Sequence, residues 1–371
     1  MAIDVRPVKS KSELNAFINL PWSIYRGNPN WVPQLRGDQK KLLNRSKHPF
    51  FDHAAAEFFL ARRDGNYVGR IAAITNDAHV AFHDEPVGFF GFFECIDDNT
   101  VAQSLFSHAA DWLRARDLQV MRGPVSYSMN DECGLLIEGF DTPPTIMMPY
   151  NPPYYMNLIT AFGFQKAKDL LAYEITQETI LSARLGRLAE RIKQRKNISI
   201  RPFVKKDLKQ ELQRVKEVYN SAWEKNWGFV PMSDREIDYM ADDLIRIVEP
   251  ELVLFAEIEG EPIAFILALP DFYAALKHAN GRLFPFGLLK IMWHAKQIDT
   301  VRILAFGIKD AYRRQGIDGL LYYEVYRNGV EKGYRRAEMS WILEDNHLMN
   351  TAIENMGGQL SKRYRIYDYE L

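Results

Sequence analysis

The chain has 371 residues, 47% apolar and 26% charged, the balance of an ordinary folded protein long enough for two cores. A formal net charge of -1 and a pI near 6.7 give no global field for polyanions, so nucleic acid is not an expected partner. Two cysteines, Cys95 and Cys133, cannot build a disulfide framework, and eight scattered histidines without an HExxH or Cys/His cluster lead us to expect no metal site.

In chain order, Ile3 to Pro7 (IDVRP) reads as a short strand, and Leu14, Phe17 and Ile18 follow at helical spacing. Residues 61–69 (ARRDGNYVG) read as two strand segments around a tight turn. The apolar run VGFFGFFECI at 87–96 is too short to span a bilayer, and no basic-then-apolar leader opens the chain, so a cytoplasmic protein without a transmembrane segment is expected. Residues 126–155 form a long insertion containing the polar SMNDE, Ser128 to Glu132. The first half closes on YEI at 173–175. A charged stretch, 176–197, then carries Ile180, Leu181, Leu185, Leu188 and Ile192 on one helical face.

The second half repeats the first at one interval. ISIRP (Ile198 to Pro202) answers IDVRP and AEIEGEPIA (Ala256 to Ala264) answers ARRDGNYVG, while Gly357 answers Gly163 and YEL at 369–371 answers YEI to within one residue. The expected elements are a helix with Leu208, Leu212 and Val215, a hairpin over 252–269, and a strand over 301–308. A helix over 317–332, a strand over 335–343, a helix over 346–356 and a strand over 363–371 complete them. A second insertion, 271–297, is apolar through Phe284, Phe286, Leu288, Leu289, Ile291, Met292 and Trp293. The expected organisation is therefore two copies, 1–175 and 198–371, joined by a helical linker at 176–197.

Between the 301–308 strand and the helix after it lies AYRRQGIDGLL, 311–321. A strand, a loop with Gly316 and a helix gather free backbone amides at the positive end of the helix, and Arg313 and Arg314 add donors for phosphate oxygens. Solvated arginines at a helix start would read the same way. Asp318 is the misfit, and it is expected to face outward as a cap. In the first copy the equivalent ECIDDNTVAQSLF has Asp97 and Asp98 in place of arginines and glycine, so no anion site is expected there.

GIKDAYRRQGIDGLL resembles the signature loop of the GCN5-related N-acetyltransferase (GNAT) superfamily, and ILEDNHLMNTAIENMGG resembles its second motif through Asn346, Met349, Ile353 and Gly357. The likeness is good over 198–371 and fainter over 1–175. It implies an α/β fold of two tandem acyltransferase units, each a mixed, mostly antiparallel sheet flanked by helices. It also implies acetyl-CoA or another acyl-CoA as co-substrate, an amine acceptor and one coenzyme site per chain. Phe306, Gly307, Ile308, Arg313, Arg314, Gln315, Gly316, Ile317, Gly319 and Asn346 are the implied coenzyme residues, the strand meeting the pantetheine arm and the loop the diphosphate.

The acid that such enzymes often place on the second-motif helix is absent, because Ile353 occupies that position. Glu344, Asp345 and His347 are the candidate catalytic residues; capping of the next helix would explain the first two equally well. Glu338 lies on the same strand as Ser340, and Tyr364 and Tyr367 also come under consideration. Both insertions are expected to roof the coenzyme site, with the first copy shaping the acceptor pocket. The apolar insertion fits a long acyl chain or a lipid or sphingoid amine, at about 0.8 kcal/mol per buried methylene, or peripheral contact with a membrane. An N-acetyltransferase, a long-chain acyl-CoA N-acyltransferase and a non-catalytic CoA-binding protein all remain open at this point.

Overall fold

The computed structural model describes residues 3–177, 183–224 and 226–371. The chain forms two compact units, one of Met1–Leu170, Tyr273–His294 and Lys362–Leu371, the other of Leu171–Phe272 and Ala295–Ser361. This differs from the expected 1–175 and 198–371. The apolar insertion and the final strand pack with the first unit, and the linker helix, Ala183–Lys196, belongs to the second. Ile180 and Leu181 lie outside the described residues, as do the side chains of Leu185 and Leu188.

In the first unit the strand order is β1 (Asp4–Pro7), β2 (Ala54–Arg63), β3 (Asn66–Asn76), β4 (Val87–Cys95), β5 (Val120–Gly123) and then the last strand of the chain, Gln359–Glu370. The ladders are antiparallel except β4 with β5, which run parallel through Val87↔Val120 to Phe89↔Arg122. A short β6 (Leu135–Glu138) pairs with the last strand at Arg363–Arg365, next to the stretch that β5 pairs. Helix Asn99–Arg114 carries Val101, Ala102, Leu105, Phe106, Ala109 and Leu113 at helical spacing, and all are buried against the sheet. The chain end is fixed by a bidentate pair, Arg365 donating to the buried Asp169 at 2.7 and 2.9 Å.

The second unit holds β7 (Gln165–Thr176, through its residues from Leu171 on) and β8 (Ser199–Pro202). It continues with β9 (Val253–Ile258), β10 (Glu261–Pro270), β11 (Thr300–Ile308) and β12 (Arg336–Leu343). Their order is β7-β12-β11-β10-β9-β8. Here too one central pair, β11 with β12, is parallel. Helix Ile317–Glu331 buries Ile317, Leu320, Leu321 and Val325, and Ile192 of the linker helix packs on the same core. Gln359–Glu370, the last strand, is β13. The segment closing each expected copy thus lies in the other unit: Leu171–Thr176 in the second and Lys362–Leu371 in the first.

Candidate acyl-CoA cleft

In the second unit β11 and β12 pair only from Thr300↔Arg336 to Ile303↔Met339. Beyond that they part, while β11 stays bonded to β10 as far as Ala264↔Ile308. The register on β10 steps from Leu267↔Ala305 to Ala268↔Ile303, leaving Leu304 as a bulge that bends the strand. A cavity of about 460 Å³ opens there, lined by Leu304 to Ile308 on one side, Ser340 to Leu343 on the other, and Arg313, Arg314, Asp318 and Tyr322.

The loop at its rim is built for an anion. Arg314 sits at φ 58° and Gly316 at φ 81°, so successive backbone units turn their amides to one side. Gly316 is the helix N-cap and supplies no side chain; the first helical bond is Leu320 N to Gly316 O at 3.1 Å. The amides of Ile317, Asp318 and Gly319 therefore have no carbonyl a turn earlier. Arg313 is tied down, donating to the carbonyls of Ala222 at 2.6 Å and Ile308 at 3.3 Å and pairing with Asp310 at 3.0 Å. Arg314 is exposed and has no ion pair among the described residues.

Of the residues expected to hold the coenzyme, Phe306, Gly307, Ile308, Arg313, Arg314 and Asn346 line the cavity. Gln315, Gly316, Ile317 and Gly319 belong to the turn behind it, with Ile317 fully buried in the core. Asp318 departs from expectation. It does not cap the helix but lines the cavity at the second helical position, where the positive helix end stabilises a carboxylate.

Glu344 and Asp345 stand at the turn after β12 and His347 opens the following helix, and none of the three lines the cavity. Asn346 is the residue that caps the following helix, accepting from Met349 N at 3.3 Å. Glu338 is buried and accepts from Ser340 Oγ at 2.6 Å, while Arg302 donates to that hydroxyl at 2.9 Å. Tyr364 and Tyr367 are buried in the first unit.

Sequence reasoning missed Tyr322, which lies one turn after Asp318, buried and stacked on Phe306 at 5.0 Å. Its hydroxyl donates to Met349 Sδ at 3.2 Å, and burial, then the Asp318 carboxylate, push its pKa well up. The i, i+4 spacing from a residue already suspected of facing the cleft was the available signal. All the residues that line this cavity belong to the second unit. Among the described residues no cluster of His, Cys, Asp and Glu could hold a metal.

The first unit repeats the plan and closes it. Gly69 faces Cys95 across β3 and β4 as Ala264 faces Ile308 across β10 and β11, which sets Glu94 in the place of Gly307 and Arg70 in the place of Phe265. Beyond the parallel pair, Val125 N bonds Phe90 O at 2.8 Å. A Cβ on Gly91 would lie 2.2 Å from Val125 O, and one on Gly123 would lie 2.4 Å from Phe90 O. The two glycines let main chains touch where the second unit has a cleft. Asp98 caps the following helix, accepting from Thr100 N at 2.9 Å and Val101 N at 3.3 Å, and is paired with Arg63 at 2.6 Å. Those amides are already used.

The parallel strands of the second unit part beside an uncapped, arginine-flanked helix start, and the chain carries the GNAT fold in two tandem units. Solved structures agree on that fold. A tandem GNAT protein of the clavulanic acid biosynthesis pathway is similar at TM-score 0.58 and 12% identity, over 100% of this chain and 98% of that one. A GCN5-related N-acetyltransferase from Sphaerobacter thermophilus is similar at TM-score 0.56 and 14% identity, over 99% and 95%. Protein YghO of Escherichia coli is 37% identical over 99% of this chain and 95% of its own length. The Bacterial ceramide synthase of Caulobacter vibrioides is 35% identical over 100% and 98%. The chain belongs to the family of these two proteins and has the GNAT fold. No family model matches it.

Proposed function

We propose that the protein is an acyl-CoA-dependent N-acyltransferase whose acceptor is a lipid amine. The observation that carries the reading is the parted β11–β12 pair beside the uncapped helix start of the second unit, with Arg314 unengaged at its rim. Those residues fit a diphosphate and an extended pantetheine arm. Asp318 is offset by two guanidinium groups and by the helix end. The first unit, with its amides capped by Asp98, binds no coenzyme in this reading. The amine nitrogen forms the C–N bond as the thioester C–S bond breaks, and its surplus proton passes to solvent. That proton reaches the leaving thiolate by way of solvent, and Tyr322, kept protonated by burial, donates a hydrogen bond to the thiolate.

The lipid acceptor rests on two supports. One relative carries the name of a ceramide synthase, an N-acylating enzyme by that name. The other is the segment around helix Gly287–Ala295 in the first unit, where Phe284 is 79% exposed, Trp293 69%, Phe286 66%, Leu289 63% and Met292 59%. No acidic residue occurs between Asp271 and Asp299, whereas Arg282, Lys290 and Lys296 are exposed. An apolar face with a basic fringe suits the surface of an anionic bilayer, where a lipid amine resides. No described helix is long and apolar enough to cross a membrane.

Calorimetry with a long-chain acyl-CoA tests the site. The Arg313→Glu, Arg314→Glu double variant should lose affinity by about a hundredfold or more, on the scale of two charge-assisted contacts. Equal affinity would reject the assignment.

A further inference from the structure

Helix Gly287–Ala295 of the first unit is turned inside out. Gly287, Ile291 and His294, spaced as one helical face, are buried or half-buried, whereas Leu288, Leu289, Met292 and Trp293 are exposed. Phe284 and Phe286, in the loop that leads into it, are exposed as well, so large apolar side chains meet solvent all along the segment. The segment is held firmly in that posture. At its base Trp22 Nε1 donates to Asn280 Oδ1 at 2.9 Å, Arg36 Nη1 to Asn280 O at 3.1 Å and Arg36 N to Gly281 O at 3.2 Å. His278 and His294 stack at 3.5 Å and join that base to the end of the helix. A Cβ on Gly281 would lie 2.2 Å from Trp22 Cζ2, and one on Gly287 would lie 1.7 Å from Arg282 O. The main chain is packed tightly from beneath while its larger apolar side chains stand outward, which is the mark of an interaction surface.

We propose that this segment is a preformed wedge that docks the protein on an anionic lipid bilayer. Phe284, Phe286 and the outward face of the helix enter the boundary between headgroups and acyl chains, and Arg282 and Lys290 meet the lipid phosphates. Charge selects this occupant. No acidic residue occurs between Asp271 and Asp299, while Arg282 and Lys290 are exposed and Lys277 is half-exposed. Two copies of the chain paired face to face would set those cations against one another with no carboxylate of the segment to answer them, whereas anionic headgroups neutralise them. Because the wedge is already ordered, docking does not have to fold a helix on the membrane, and less of the apolar gain is spent on ordering. The docking goes beyond the lipid acceptor proposed above, because it belongs to the protein without substrate and depends neither on the coenzyme cleft nor on the reaction.

The test is co-sedimentation of the full chain with vesicles, in the absence of acyl-CoA and of any amine. Vesicles of phosphatidylcholine and phosphatidylglycerol in equal parts should bind it, and vesicles of phosphatidylcholine alone should bind it at least about tenfold more weakly. Phe284→Ser with Trp293→Ser should weaken binding to the mixed vesicles by about a hundredfold, without lowering the melting temperature, because both side chains are exposed. Arg282→Glu with Lys290→Glu should abolish the preference for the mixed vesicles. Both double variants should keep the parent's acyl-CoA affinity. No binding of the parent to the mixed vesicles, equal binding to the neutral ones, or indifference to the Phe284 and Trp293 changes would overturn the proposal. A parent that sediments as a dimer without lipid, and becomes a monomer in the Phe284→Ser, Trp293→Ser variant, would assign the face to a second copy and overturn it as well. Failure to bind vesicles with acyl-CoA affinity intact counts against the docking and leaves the coenzyme cleft standing, and the converse result does the reverse.

Discussion

The two units carry the same central arrangement, a parallel strand pair followed by a helix, and they put it to opposite uses. In the second, β11 and β12 part, a glycine stands at position 307, and the helix begins without a side-chain cap. In the first, Gly91 and Gly123 bring main chains into contact, Glu94 stands where the glycine would be, and Asp98 takes the helix amides. On β11 the glycine lies against Ala222 beside a cleft, whereas in the first unit a glycine pair removes the cleft. The chemistry follows from which backbone groups are left unsatisfied, more than from the fold class.

The sharpest break of this contrast is to give the second unit the first unit's residue. Gly307→Glu should weaken acyl-CoA by about a thousandfold. A carboxylate near the ligand's charges costs about 1–4 kcal/mol at surface-like dielectric, and the side chain takes up ligand volume as well. A Cβ at Gly307 would lie 3.0 Å from Ala222 Cβ, so a modest loss of thermal stability should accompany it. Calorimetry and a melting curve together separate the two effects. Retained affinity would show that the ligand does not use this strand face.

Much of this was legible before any coordinates. Gly316 announced a turn between strand and helix, and the backbone there does take positive φ at Arg314 and Gly316. The strands and helices of the second half fell within a few residues of the expected limits, since each is a strongly patterned segment. What was hidden is non-local. VGFFGFFECI reads as a plain apolar strand, and nothing in it says that Glu94 will meet Arg70 at the floor of a cavity. The exchange of closing segments was hidden for the same reason, because strand pairing over such sequence distances leaves no local mark. Asp318 was misplaced because a carboxylate at a helix start caps in some sequences and merely enjoys the helix field in others.

Tyr322 sharpens the comparison on the catalytic side, because the first unit offers no cleft for such a group. Tyr322→Phe should lower kcat by about a hundredfold while acyl-CoA affinity stays unchanged, since the ring still stacks on Phe306. Burial raises this hydroxyl's pKa, so the parent's kcat should show no loss on its account between pH 7 and pH 9. A rise in KM at constant kcat would reassign Tyr322 to binding alone.

The smallest effect belongs to the cap of the first unit. Asp98→Ala removes two backbone contacts and the Arg63 pair, and should cost about 1–2 kcal/mol of stability. It should leave acyl-CoA affinity untouched, because the closed backbone at Gly91 still denies that unit a cleft. The pH dependence has a defined sign. Arg63 first, then the amides of Val101 and Thr100, hold the Asp98 carboxyl below its ordinary 3.8. A carboxylate whose folded pKa is depressed stabilises above its unfolded value and loses that contribution as pH falls through the folded one. Denaturant titrations should therefore give a constant gap between parent and variant from about pH 7 to about pH 5, closing below about pH 4. A gap as wide at about pH 3 as at about pH 7 would mean that the variant's loss is one of packing, and that the helix start in the first unit is closed by something other than this carboxylate.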